Sequence, residues 1–75
     1  MQDRPFTDIG SALASIDGFS GLPEDFVLAI SDDMQDPMGA GMAIVADRIL
    51  ARGWLPAGFE QREGFRLYRY GSQDI

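Results

Sequence analysis

The sequence contains no cysteine, no histidine and no lysine. Without cysteine there is no disulfide and no thiolate-bound zinc, so stability has to come from packing and helix caps. Without histidine the chain lacks the side chain that ordinarily exchanges protons near neutral pH, and without lysine it lacks a Schiff-base amine. Carboxylates are the remaining acid–base groups, and a domain this small has little room for a deep cleft. The chain is therefore expected not to be an enzyme, and to need no cofactor. No stretch approaches the roughly 20 apolar residues of a membrane helix, and MQDRPFTD at the start has neither a basic flank nor an apolar run. A cytoplasmic location is the expectation.

What remains is a 75-residue chain, 45% hydrophobic, the length of one domain (1–75). At this size folding buries only about 60% of the surface of the unfolded chain, so the core is thin. Charge is the unusual property. Twelve Asp and Glu oppose six arginines, for a net charge of −6. Residues 1–36 carry eight acids against Arg4, a net of −7, while residues 37–75 carry four acids against five arginines, a net of +1. Such a field repels nucleic acid and attracts basic protein surfaces.

Local signals suggest an α+β fold. Thr7 can cap a short helix from Asp8 to Ile16, with Gly18 ending it. Phe26–Ser31 is an apolar run that reads as a strand from its Phe, Val and Ile, against a helical reading that starts from Pro23, Glu24 and Asp25. From Pro37 to Arg52 the signals agree on the main helix: Asp36 in the N-cap place, Pro37 in the first turn, Met38, Met42, Val45 and Ile49 at helical spacing, Arg48 and Arg52 near the C-terminus, Gly53 beyond it. Trp54 and Leu55 then read as core. The final segment reads as an antiparallel hairpin packed on that helix, turning through a three-residue loop of Arg62, Glu63 and Gly64. That loop sets Phe59 opposite Leu67 and Glu60 opposite Arg66. Phe65 and Leu67 point inward in this register, and Arg66, Tyr68 and Tyr70 share the outer face.

Three stretches invite a chemical reading. DDMQD, residues 32–36, resembles the magnesium-binding aspartate motif of the terpene synthases, which implies oxygen-only coordination of a hard cation. Here the proline that follows places the aspartates in a loop, where Asp36 is accounted for as a cap, while Asp32 and Asp33 are either solvated turn residues or left over for a partner. PMGAGMA resembles a phosphate loop but lacks its lysine, and the neighbouring aspartates repel phosphate. Arg66, Tyr68 and Tyr70 can stack bases and pair phosphates, or serve as protein-contact residues.

Two patterns carry a resemblance of type: PED at Pro23–Asp25 and SDDMQD at Ser31–Asp36. In acidity, size and lack of catalytic motifs the chain is similar to the small anti-CRISPR proteins and other inhibitors from phages and mobile elements. The resemblance implies a module that blocks a basic, DNA-binding surface of a CRISPR surveillance complex, its carboxylates standing where phosphates lie. The expected partner-binding residues are Glu24, Asp25, Asp32, Asp33, Asp36, Arg66, Tyr68 and Tyr70; no metal and no direct nucleic-acid partner are expected. The alternative reading is a nucleic-acid-binding or regulatory accessory that uses the Arg/Tyr hairpin.

Overall fold

A computed structural model describes residues 4–72. It is a small α+β domain in which helices α1 (Ile9–Gly18) and α2 (Ala40–Ala51) cover one face of an antiparallel sheet formed by β1 (Val27–Ser31), β2 (Trp54–Arg62) and β3 (Phe65–Ser72). The strand order is β1-β3-β2, so β1 and β2 run parallel with β3 inserted between them, and α2 makes the crossover. Ahead of α1, Phe6 bridges Ile30 in the parallel sense: its N–H donates to Ala29 O, and its carbonyl accepts from Ser31 N–H. This contact covers the outer edge of β1.

The elements form for local reasons. Asp8 caps α1 in place of the expected Thr7, accepting from Ser11 N–H at 2.8 Å and from the Ser11 hydroxyl at 2.9 Å. The backbone N–H and then the hydroxyl of Ser11 hold the Asp8 carboxyl below the ordinary carboxylate range. The helix runs two residues past the expected Ile16 to Gly18. Pro23–Asp25 forms a single 3-10 turn, which explains the helical signal there, and the apolar run after it is the expected strand.

The main helix begins at Ala40, later than the expected Pro37. Pro37–Gly39 makes its own 3-10 turn, within which Met38 (φ 61°) and Gly39 (φ 72°) enter the left-handed region and break the helical path. Met38 is consequently outside the apolar stripe and fully exposed. Asp36 still caps α2 from a distance: its two carboxylate oxygens accept from Gly41 N–H at 2.6 Å and Met42 N–H at 3.1 Å.

The hairpin differs from expectation in register and in facing. The chain reverses through Glu63 and Gly64 alone, with Gly64 at φ 85°, so that Arg62 pairs Phe65, Glu60 pairs Leu67 and Phe59 pairs Tyr68. Paired residues share a sheet face, and faces alternate along each strand. The inner face therefore holds Leu28, Ile30, Arg66, Tyr68 and Tyr70, while Ala29, Phe65 and Leu67 lie on the outer one. The two tyrosines of β3 win the core because they meet a ready-made cluster. Phe26, Trp54 and Tyr70 pack with ring centroids 5.3–6.3 Å apart, Phe19 joins from the end of α1, and Tyr70 is only 7% exposed.

A β-bulge at Ala57 makes this possible. Strict alternation would put Trp54 and Phe59 on opposite faces. The extra residue between Pro56 and Gly58 changes the phase, and both Trp54 and Phe59 face the helices. Trp54 is buried, as the sequence suggests, whereas Leu55 falls on the outer face and is exposed.

The helices lie side by side in the same direction. Ile9 packs on Gly41 at one end, where an added Cβ would overlap its side chain; at the other end Arg48 pairs Asp17, and Arg52 donates to Ile16 O while its guanidinium lies 4.4 Å from the Trp54 ring centroid.

Candidate functional site

Both helix N-termini lie at the same end of the molecule as the hairpin tip, and aspartates gather there. Asp32 N–H donates to Gly64 O at 3.0 Å, tying the β1–α2 connection to the β2–β3 turn, and this brings Glu63 beside Asp32 and Asp33. Asp33 N–H in turn is held by the Ser31 hydroxyl at 3.1 Å, which fixes the turn. Asp8 enters from the Phe6 bridge, and Asp36 sits over the first turn of α2. The basic groups at this end are Arg62 and Arg66; Arg62 is paired with Glu60.

The carboxylates at this end are not equivalent. Asp36 spends both oxygens on helix N–H groups, and Asp8 spends one on Ser11 N–H and the other on the Ser11 hydroxyl. Asp32 accepts from the Gln61 side-chain amide at 3.2 Å and lies 3.6 Å from Arg66 Nε, which is buried with no hydrogen-bond partner of its own. Asp33 and Glu63 are exposed at the rim, and their carboxylates have no partner among the described residues. The expectation that Asp32 is left over is therefore corrected: the inward-facing Arg66 draws it in, and Asp33 is the aspartate of DDMQD that remains available.

DDMQD does not converge on a common point. Asp32 faces the hairpin while Asp36 faces the α2 N-terminus, and no group of three His, Cys, Asp or Glu residues placed to hold a metal ion exists among the described residues.

Glu24 and Asp25 are elsewhere. They precede β1, and Asp32 follows it; six residues of largely extended chain separate Asp25 from Asp32, roughly 20 Å at about 3.3 Å per residue. At physiological ionic strength this is more than two Debye lengths of about 8 Å. Glu24 is bound to β3, accepting from Ser72 N–H at 3.0 Å and from its hydroxyl at 2.6 Å. The single acidic front expected from the charge distribution along the chain is thus two separate ends. The reason is that β1 runs between them.

The expected outer face of Arg66, Tyr68 and Tyr70 is also corrected, since these side chains are on the inner face. Burial, and secondarily the neighbouring Tyr68, pushes the Tyr70 hydroxyl up to about 12. Tyr68 packs on the core and on Phe59, with centroids 5.3 Å apart, and Arg66 is half-buried.

Comparison of the chain with protein-family models, with curated sequences and with solved structures gives no significant match. Its surface chemistry alone bears on function. Among the described residues no helix is long and apolar enough to cross a membrane. Two hollows flank the sheet. One, of about 800 Å³, lies between α1 and β1 and is lined by Phe6, Phe19, Val27, Ala29 and Leu67. The other, of about 710 Å³, lies between α2 and the hairpin, with Met42, Ala46, Leu50, Pro56, Phe59 and Tyr68 in its walls.

Sequence reasoning missed Glu63, Asp8 and this second groove. Glu63 and Asp8 reach the acidic end through backbone contacts with Gly64 and Phe6, and no local pattern announces such contacts. The groove had one trace in the sequence, apolar residues at Ala46 and Leu50 beside the main stripe of α2.

Proposed function

We propose that the protein is a small acidic binding module that occupies a basic, nucleic-acid-binding surface of another protein, an inhibitor of the anti-CRISPR kind. The surface that acts is the end carrying Asp33 and Glu63 at the rim, with Asp32 and Asp36 behind them. What supports the reading is the fixed backbone that presents these residues: the Asp32 N–H to Gly64 O bond ties the two loops together, the Ser31 hydroxyl holds Asp33 N–H, and Asp36 is anchored on α2. With the backbone already fixed, only side-chain freedom is lost when guanidinium or ammonium groups bind Asp33 and Glu63, which is a partial preorganisation. Each well-paired carboxylate then contributes roughly 1.5–3 kcal/mol. Steering by the net charge of −6 speeds the encounter and makes it sensitive to salt.

The test is competition. A CRISPR DNA-surveillance complex is mixed with labelled target duplex, and the protein is titrated in at low and at raised salt. Duplex binding is expected to fall as the protein is added, less so at raised salt. Asp33→Lys combined with Glu63→Lys is expected to abolish the effect, whereas Asp25→Lys at the far end leaves it intact. Duplex binding that never responds to the wild-type protein, or a double variant that competes as well as wild type, defeats the reading.

A further inference from the structure

Among the described residues, one edge of the sheet has no covering segment. On the β1 side Phe6 supplies a covering bridge, but β2 is the last strand on the other side. The hairpin closes on the Arg62–Phe65 pair through a two-residue turn, so Arg62, Glu60 and Gly58 direct their backbone polar groups toward β3. Phe59 and Gln61 direct theirs away from the sheet. Pro56 and the bulge blunt the first half of the edge; Gly58–Arg62 has no such protection.

Beside this edge runs the apolar groove between α2 and the hairpin. Phe59 is 60% exposed and Leu50 56% exposed on its rim. The only charged residues of β2, Glu60 and Arg62, pair with each other, so the edge is neutral in a chain of net charge −6. Two such chains repel at either acidic end and can approach each other here.

We infer that two copies of this chain join through β2, edge to edge and antiparallel, into a continuous six-stranded sheet. A twofold axis at Phe59 pairs its backbone N–H and C=O with those of Phe59 in the second copy. Glu60 then faces Gly58 of the second copy and Arg62 faces Pro56, so no like charges stand directly opposite, and the two Glu60, diagonal neighbours in this register, are each paired with the Arg62 of their own chain. A register centred on Glu60 would set that carboxylate against itself. In the Phe59 register the two rings and the two Leu50 side chains join the grooves across the axis, while the acidic ends point in opposite directions. The arrangement is isologous and ends at two chains, because the β1 edge of each copy is covered.

Sedimentation over a concentration series from micromolar to millimolar tests this, together with amide hydrogen exchange at Phe59 and Gln61. The expected result is a reversible monomer–dimer equilibrium in which both amides become protected as concentration rises. Phe59→Lys is expected to move the midpoint to higher concentration by about tenfold or more, as for loss of a central aromatic anchor. Leu50→Gln, on the exposed side of α2, is expected to weaken association in the same direction without touching the sheet; circular dichroism checks that each variant keeps its fold. A single-chain mass over the whole range overturns the inference. So does a dimer whose Phe59 and Gln61 amides exchange at a concentration-independent rate, or one that both variants leave intact; either result places the contact elsewhere.

Discussion

Asp36 shows how one carboxylate can settle a local structure from outside the helix it serves. It lies four residues before the first residue of α2, yet its oxygens satisfy two of the N–H groups that the helix start leaves over. Asp36→Ala is expected to lower stability by about 1–2 kcal/mol in denaturant titration, and Asp36→Asn by less, since the amide oxygen can still accept one of the bonds. Gly41 behaves unlike an ordinary helical glycine. Alanine is normally favoured there by about 1 kcal/mol, but a Cβ would run into Ile9 and, at 2.9 Å, an oxygen of Asp36. Gly41→Ala is therefore expected to lower the melting temperature. Tyr70 supplies a pH dependence with a definite sign. Its hydroxyl titrates at about 12 in the folded protein against 10.0 for the ordinary group, so above pH 10 the unfolded chain releases the proton first. The stability contributed by the neutral phenol is complete below pH 10 and drains away as the pH rises through 12. Thermal melts across that window should show the decline, and Tyr70→Phe should flatten this part of it.

At the level of elements, the bulge in β2 carries the most consequence. Removing Ala57 restores strict alternation, so Trp54 and Phe59 can no longer both face α1 and α2. The deletion is expected to cost on the order of 3 kcal/mol or more, as in the loss of a buried aromatic, and to change the tryptophan emission of whatever remains folded. Helix positions were largely readable because capping and periodicity act over a few residues: the Val45–Ile49 spacing lies within α2 and Asp36 does bond its first turn, although the cap of α1 is Asp8 in place of Thr7 and α2 starts three residues after Pro37. The hairpin was half-readable. Gly64 marked the turn, but matching polar with polar across the strands favours a three-residue loop over the two-residue turn that forms with Glu60 opposite Leu67, and one residue of slip inverts every side chain of β3. The inversion took Tyr68 and Tyr70 from the candidate binding face into the core, and it placed Arg66 where it captures Asp32.

Over the whole molecule, charge is the governing property. Of the acids at the two ends, Asp17 and Glu24 are locally paired, at the end opposite the hairpin tip. Asp33 and Glu63 are left facing solvent at the tip, as Asp25 is at the opposite end, and the tip is the end proposed to bind. Self-repulsion in a chain of net charge −6 also opposes the folded state, so raising the salt from low to physiological levels is expected to raise the melting temperature. The same salt would weaken capture of a basic partner, and the two opposite responses can be recorded on one preparation.

The amino-acid sequence by itself determined the acidity, the absence of thiol, imidazole and amine chemistry, the α+β class and the approximate span of each element, because composition and short-range hydrogen bonding need nothing beyond neighbouring residues. Tertiary structure alone decided which face of β3 is buried, which aspartate remains available, and that the acids divide between two ends. Those outcomes depend on contacts between residues distant along the chain, Asp32 with Gly64 and Phe26 with Tyr70, and on a one-residue bulge whose effect exists only once the strands pair.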